Sequence, residues 1–238
     1  TTGAPKCIVH GHGGVVVEHL KAVALQSDMD RDDTFFWFTS PSWMMWNFQV
    51  AGLLVGATIV CYDGSPSSPT PDALWSIASR VRATVLGTSP GYVLGCMKAD
   101  AHPSKSHDLS ALRAVLSTGS ALAHESFDYV YRDIKRELLL ASISGGTDIV
   151  SCFALGCPIR PVYRGQLQCR GLGMAVDVFD DDGNPLRGEK GELVCTRPFP
   201  SMPVGFWNDP DGERYREAYF STFPGIWAHG DYAEITAE

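Results

Sequence analysis

The chain has 238 residues, 45% hydrophobic and 19% charged, with Gly 24, Pro 15 and Cys 7; a chain this long buries roughly 70% or more of its unfolded surface, which excludes wholesale disorder and any need for disulfide or metal staples. Its 19 Lys+Arg against 27 Asp+Glu give a formal net charge of −8, and without a basic cluster a nucleic-acid surface is excluded, because neutralising phosphates takes grouped Lys/Arg. The cysteines, odd in number and without a C-x-x-C pair, argue against a disulfide framework or structural zinc and for reduced, cytoplasmic thiols. The sequence opens Thr1-Thr2-Gly3, with neither an initiator Met nor a signal peptide, and reads as a piece of something longer.

From Lys6 to about Gly145, apolar or β-branched runs alternate with helical periodicity. CIVH precedes Val15–Gln26, FFWF precedes Met45–Val55, ATIVCY precedes Asp72–Val81, ATVLG precedes Tyr92–Lys98, RAVLS precedes His124–Arg136, and LLLASI follows. Such alternation predicts βαβ crossovers and an α/β fold with a largely parallel sheet and helices on both faces. Thr70-Pro71-Asp72 supplies a cap and an early proline, and Glu125 puts an acid in a first helical turn. The longest apolar stretch, Val50 to Tyr62, is too short to span a bilayer and reads as a buried helix followed by a core strand. After Ser151 the texture changes to short strands, QLQC, AVDVFD, ELVCT and WAHGDYAEI, separated by turn chemistry such as Asp181-Asp182-Gly183-Asn184-Pro185. The expected division is an α/β region over 1–150 and an appended small antiparallel β unit over 151–238, with Pro198–Gly225 as an irregular loop.

Four segments carry candidate chemistry. Thr1-Thr2-Gly3-Ala4-Pro5-Lys6 offers backbone N–H groups, hydroxyls and one ammonium to a polyphosphate, or is simply a polar chain end. Gly87-Thr88-Ser89-Pro90-Gly91 matches the G-x-S-x-G nucleophile elbow, and Asp148 and His229 would complete a hydrolase triad in the right order. Pro90 opposes that reading, because it removes the N–H that would serve as oxyanion donor. Ser144-Gly145-Gly146-Thr147-Asp148 follows the strand LLLASI, and Ser117-Thr118-Gly119-Ser120-Ala121 follows RAVLS. Ligands of open parallel sheets bind beyond the carboxyl ends of the strands, so both can hold phosphate, and Asp148 can hold Mg²⁺; ordinary Gly-rich turns would look the same. In His229-Gly230-Asp231-Tyr232 the Asp can bind a ribose diol or merely close a turn. His10, His12 and His19 have no metal-ligand spacing and read as structural, and the glycine groups at 11–14 and 171–173 fall short of a dinucleotide fingerprint.

In this order, TTGAPK, STGSAL, SGGTD and HGDYAEI resemble the phosphate loop, adenine loop, Thr-acid motif and ribose-binding Asp of the adenylate-forming acyl-CoA synthetases. The runs IVHGHGGVVVEHLKA, SWMMWNFQVAGLLVGATIVCYDGSP and SGGTDIVSCF are similar to the branch of that family that activates acetoacetate, and the likeness extends over essentially the whole chain. The resemblance implies that Thr1, Thr2, Gly3 and Lys6 hold the ATP phosphates and that Gly119, Ser120 and Ala121 flank the adenine. It further implies that Thr147 meets the α-phosphate, Asp148 holds Mg²⁺, and Asp231 binds the ribose, with Lys6, Thr147 and Asp148 as catalytic groups. Most relatives carry Glu at the position of Asp148. The acyl pocket would be lined by Trp43, Met44, Met45, Thr118 and Gly145; relatives acting on acetate carry Trp at the position of Gly145, so glycine there leaves room for a longer acyl group. Pro41-Ser42-Trp43 departs from a family pattern with Gly before Trp.

The implied function is an ATP-dependent acid:CoA ligase, forming acetoacetyl-CoA from acetoacetate, ATP and CoA through an acyl-adenylate, with AMP and pyrophosphate released. Another short-chain acyl-CoA synthetase is the nearest alternative. A serine hydrolase using Ser89 and a non-catalytic nucleotide-binding fragment are alternatives of other classes. The family's hinge and small C-terminal domain, with the Lys needed for adenylation, would follow Glu238, so the isolated chain is expected to bind nucleotide weakly and turn over little. With a net charge of −8, attraction for a polyanion must come from local groups such as Lys6 and not from the overall field.

Overall fold

A computed structural model describes residues 6–237; Thr1, Thr2 and Gly3 lie outside the described residues. The strands in chain order are β1 (Ile8–Val9), β2 (Thr34–Trp37), β3 (Thr58–Val60), β4 (Val85–Thr88), β5 (Ala114–Ser117), β6 (Leu139–Ser142), β7 (Ser144–Gly146), β8 (Ser151–Leu155), β9 (Cys169–Arg170), β10 (Val176–Phe179), β11 (Lys190–Cys195), β12 (Gly205–Phe206) and β13 (Trp227–Glu234). The α-helices are α1 (His12–Leu20), α2 (Met45–Ala51), α3 (Ala73–Val81), α4 (Pro90–Lys98), α5 (Pro103–Ser106), α6 (His124–Tyr129) and α7 (Glu213–Phe220). Contacts divide the chain into two units, His19–Cys169 and the remainder, which joins the segment up to Glu18 to the segment from Arg170 onward.

The larger unit is built on a five-stranded sheet of order β3-β2-β4-β5-β6, parallel throughout. Strand periodicity sends alternate residues to opposite faces. Phe36, Leu86, Val115 and Leu140 pack with Leu74 and Trp75 of α3, Val93 of α4 and Phe127 of α6. Their neighbours Phe35, Trp37, Val85, Ala114, Leu116 and Ala141 pack on the other side with Ala22, Val23, and Met45 and Phe48 of α2. Strands buried on both faces read as continuous apolar runs, which is why FFWF, ATVLG and RAVLS stood out. The stretch read as a buried helix and core strand differs in one respect. β3 is an edge strand, and Leu53 and Leu54 before it remain exposed. The long helical runs 15–26 and 124–136 each end in a π-helical turn, Lys21–Gln26 and Val130–Ile134.

The amino ends of the strands are tied together electrostatically. Asp33, just before β2, receives Arg113 Nε at 3.0 Å and Nη2 at 2.7 Å, and Thr84 Oγ1 at 2.6 Å. Burial works to raise this carboxyl, but the hydrogen bonds from Arg113, Thr84 and the Asp30 N–H, with the Arg113 charge, hold it below the ordinary 3.8. A depressed folded-state value means that the unfolded chain takes up the proton first. The stabilisation is therefore present above pH 3.8 and lost as pH falls through the lower folded value. Urea midpoints measured between about pH 6 and pH 3 are expected to fall, and to fall less steeply in Asp33→Asn; equal slopes would remove Asp33 from the acid response.

In the smaller unit β10, β11 and β13 form an antiparallel sheet. Two expectations need correction here. CIVH does not open the parallel sheet: β1 pairs antiparallel with β12, Ile8 opposite Phe206, because a two-residue strand finds a partner only through long-range packing. The segment 198–225 is not irregular throughout. It contains α7, whose first turn is held by Asp209 accepting from Arg214 N and Tyr215 N at 3.2 and 2.9 Å, and whose aromatic side chains supply the packing that local propensity does not. Residues 151–169 belong to the larger unit, where β8 pairs antiparallel with β7. Among the described residues, no helix is long and apolar enough to cross a membrane.

Candidate functional site

Of the expected site residues, the larger unit carries Gly119, Ser120, Ala121, Thr147, Asp148, Trp43, Met44, Met45, Thr118 and Gly145, and the smaller carries Lys6 and Asp231.

In the larger unit, Thr88, Ser117 and Ser142 stand in register at the carboxyl ends of β4, β5 and β6. The chain leaves β5 through Thr118, whose N–H donates to Thr88 O at 3.2 Å and whose hydroxyl donates to Ile143 O at 2.9 Å. These two bonds lash the turn to both neighbouring strands and leave Gly119, Ser120 and Ala121 exposed just beyond the sheet. Gly119 has φ 103°. A Cβ placed there would stand 3.8 Å from Trp43 Cζ2, so the adenine-loop candidate and the first acyl-pocket candidate are neighbours. The Pro41-Ser42 departure forms an ordinary turn, with Trp43 N donating to Ser40 O at 3.0 Å and Pro at the second position. Met44 and Met45 are buried in the same core cluster as Trp37, Ile143 and Cys152.

Thr147 and Asp148 occupy a single 3₁₀ turn, Thr147–Ile149, directly after β7. Thr147 is exposed and Asp148 half-buried. The turn closes on Val150, whose N–H donates to Thr147 O at 3.2 Å and whose carbonyl lies 2.8 Å from His19 Nε2. Among the described residues no group of three or more His, Cys, Asp or Glu could hold a metal ion. A single half-buried carboxylate such as Asp148 is compatible with a cation of the Mg²⁺ type, which accepts one or two carboxylates and completes its shell with substrate phosphates and water. At Gly145 a Cβ would stand 2.1 Å from Ser151 O and 2.3 Å from Cys152 Cα. Glycine is thus demanded by the close approach of β8, and the place of a side chain at 145 is taken by backbone.

The hydrolase reading fails at Ser89. Its Oγ accepts the Tyr92 N–H at 3.2 Å, as the N-cap of α4 with Pro90 behind it. Ser89→Ala is expected to cost about 1 kcal/mol of stability in urea unfolding, the loss of a cap, and to remove no esterase turnover. Loss of a p-nitrophenyl ester activity in that variant would revive the nucleophile.

In the smaller unit Lys6 Nζ lies over the ring of Tyr219, 4.9 Å from its centroid, and Tyr219 stacks on Trp227 at 3.8 Å and 11°. The Trp227 indole N–H donates to His229 Nδ1 at 3.3 Å. That bond leaves the His229 proton on Nε2, 3.7 Å from Asp231 Oδ2. One aromatic stack therefore carries Lys6 at one end and aims Asp231 at the other. The backbone contributes as well: opposite β11 the pairing slips between Glu192 and Val194, and Gly230 takes φ 85° at this bulge with its N–H given to Glu192 Oε1. Bulges re-aim side chains in this way beside functional sites. Sequence reasoning missed Tyr219 and Trp227, and weighed His229 only as a partner in the hydrolase triad. The available signal was Tyr215 and Tyr219, four residues apart on one face of a helix.

The chain was compared with known proteins. The family described as AMP-binding enzyme matches residues 1–204. The chain is 55% identical over 236 residues to acetoacetyl-coenzyme A synthetase of Rhizobium meliloti (strain 1021), covering 99% of this chain and 36% of that protein. It is 50% identical over 235 residues to acetoacetyl-CoA synthetase of Gallus gallus, covering 99% and 35%. The solved structure of acetoacetyl-CoA synthetase from Streptomyces lividans matches with a TM-score of 0.95 at 52% identity, over 100% of this chain and 37% of that one. The chain thus spans 35–36% of the length of these two relatives.

Proposed function

This chain belongs to the AMP-binding enzyme family, and from that premise we propose that it is part of an ATP-dependent ligase converting acetoacetate and CoA to acetoacetyl-CoA, with release of AMP and pyrophosphate. What carries the reading is identity of 50–55% over 99% of the chain to relatives named for that product. The exposed turn beyond β5 supports it, since it lies where parallel sheets receive nucleotides.

The reaction runs in two steps. The acetoacetate carboxylate attacks the α-phosphorus of ATP in line and pyrophosphate departs; the CoA thiolate then attacks the acyl carbon of the adenylate and AMP leaves. No protein nucleophile is needed, which agrees with the capping role of Ser89. Gly119, Ser120 and Ala121 flank the adenine, and Thr147 donates its hydroxyl to the α-phosphate. Asp231, oriented through His229, accepts from the ribose hydroxyls. Thr1, Thr2, Gly3 and Lys6 receive the phosphates, with the ammonium offsetting charge that grows on the pyrophosphate. Mg²⁺, held through Asp148 and phosphate oxygens, would supply further charge neutralisation. The acyl group lies against Trp43, Met44, Met45 and Thr118, close to Gly145. Because β8 fills the side-chain place at 145, the acyl space is set by the path of the β7–β8 ribbon and not by the missing side chain.

The test is pyrophosphate release by the longer protein with acetoacetate, acetate and butyrate as competing acids. Preference for acetoacetate is expected; preference for acetate or butyrate would leave the ligase chemistry and change the substrate. Calorimetric titration of the longer protein with a non-hydrolysable acyl-adenylate analogue should show binding, and its failure would sink the ligase reading altogether. The isolated 238-residue chain is expected to bind the analogue weakly and turn over little.

A further inference from the structure

Outside the nucleotide-binding candidates, two of the seven free cysteines are neighbours. The side chain of Gln168 reads the backbone of Cys157 in both directions: its Nε2 donates to Cys157 O at 3.1 Å and its Oε1 accepts the Cys157 N–H at 3.0 Å. Cys157 therefore lies directly across from the segment that enters β9. On that strand Cys169 Sγ stands 3.8 Å from Gly156 O, the carbonyl of the peptide leading into Cys157, and 3.8 Å from Leu155 O. Cys157 is close enough to act on the Cys169 thiol. Both cysteines are half-buried, so a small oxidant reaches them, whereas Cys96, Cys152 and Cys195 are buried.

We propose that Cys157 and Cys169 are a modification site, a thiol pair that a hydroperoxide converts to an intramolecular disulfide. Burial, together with the adjoining Cys157, pushes the Cys169 thiol up, which makes Cys157 the first sulfur to react and Cys169 the resolving one. The Cys157 thiolate attacks one peroxide oxygen, the O–O bond breaks, and Cys157 sulfenic acid forms with release of water. The Cys169 thiolate then attacks the Cys157 sulfur and expels its hydroxyl as a second water. Two thiols and one hydrogen peroxide thus yield one disulfide and two waters, the sulfurs losing the two electrons the peroxide gains. The bond closes residues 157–169 into a covalent loop and takes from Gln26 Nε2 the thiol it meets at 3.8 Å. The loop so fixed carries Arg164, whose guanidinium grips Asp128.

Peptide mapping of the whole chain tests this. After brief exposure to hydrogen peroxide, free thiols are blocked with iodoacetamide and the protein is cut with trypsin without reductant. Cleavage after Arg136, Arg164 and Arg170 separates Cys157 from Cys169, leaving Cys152 on the Cys157 peptide. The expected result is peptide 165–170 joined to peptide 137–164, with fragmentation assigning the bond to Cys157. The product should rise at least about tenfold over untreated protein, disappear with dithiothreitol, persist in Cys152→Ser and vanish in Cys157→Ser. Recovery of peptide 165–170 alkylated, or joined to any other cysteine, once the exposed Cys7 and Cys61 have been oxidised, would overturn the proposal. The wild-type map decides the matter alone if a variant fails to fold.

Discussion

Arg113→Ala is expected to lower the stability of the larger unit by about 3 kcal/mol, the low end of what removing one partner of a buried ion pair costs. Three features set that size. Asp33 has a side chain only 7% exposed, so its carboxylate cannot recover its lost partner from water, while Arg113, at 35%, is partly solvated and tempers the loss. The guanidinium also donates to Ser27 O at 3.3 Å and to Asp28 O, so its removal frees two carbonyls on the segment entering β2. Thr84 Oγ1 remains on Asp33 and keeps part of the network. Urea unfolding followed by tryptophan fluorescence reads the effect, since Trp37 and Trp75 are buried in this unit. Arg113→Lys should recover some of the loss through charge alone, lacking the planar fork. An unchanged midpoint in Arg113→Ala would mean that the pair at the foot of the sheet contributes nothing net.

On the proposed reading, Lys6→Met in the longer enzyme lowers kcat for pyrophosphate release about 100-fold or more, the usual effect of deleting a preorganised group that meets developing charge. The loss should fall on kcat and not on KM for acetoacetate, because the ammonium faces the leaving group and not the acid. Folding should change little. Lys6 sits over Tyr219, and such a cation–π contact contributes only about 0.5–1 kcal/mol when exposed. Less than about a threefold change in Lys6→Met would remove this lysine from the reaction.

Much of the larger unit was legible because its physics is local. FFWF, ATVLG and RAVLS become β2, β4 and β5, each buried on both faces, and a strand covered on both sides must be apolar throughout. Ser89-Pro90 starts α4 as cap and first residue, a signal contained in two adjacent positions. The turns after β5 and β7 were legible for a similar reason: glycines and hydroxyls cluster where backbone must leave a strand sharply.

Other features have no local signature. α7 is rich in charge and aromatic rings, and it is a helix because Tyr215, Tyr219 and Phe220 pack around Trp227. The partner of β1 is β12, nearly the whole chain away. The crowding at Gly145 comes from β8, and sequence reading saw only an absent side chain where the structure has an approaching backbone.

The sequence by itself determined the α/β class and the alternation of strand and helix, since each rests on periodicity or on residues adjacent in the chain. Only the tertiary structure decided the strand order β3-β2-β4-β5-β6, the ion pair that ties its foot, and the stack through which Tyr219, Trp227 and His229 hold Lys6 and aim Asp231. Those depend on which distant side chains reach contact distance, and contact energies of that kind exist only after the chain has folded.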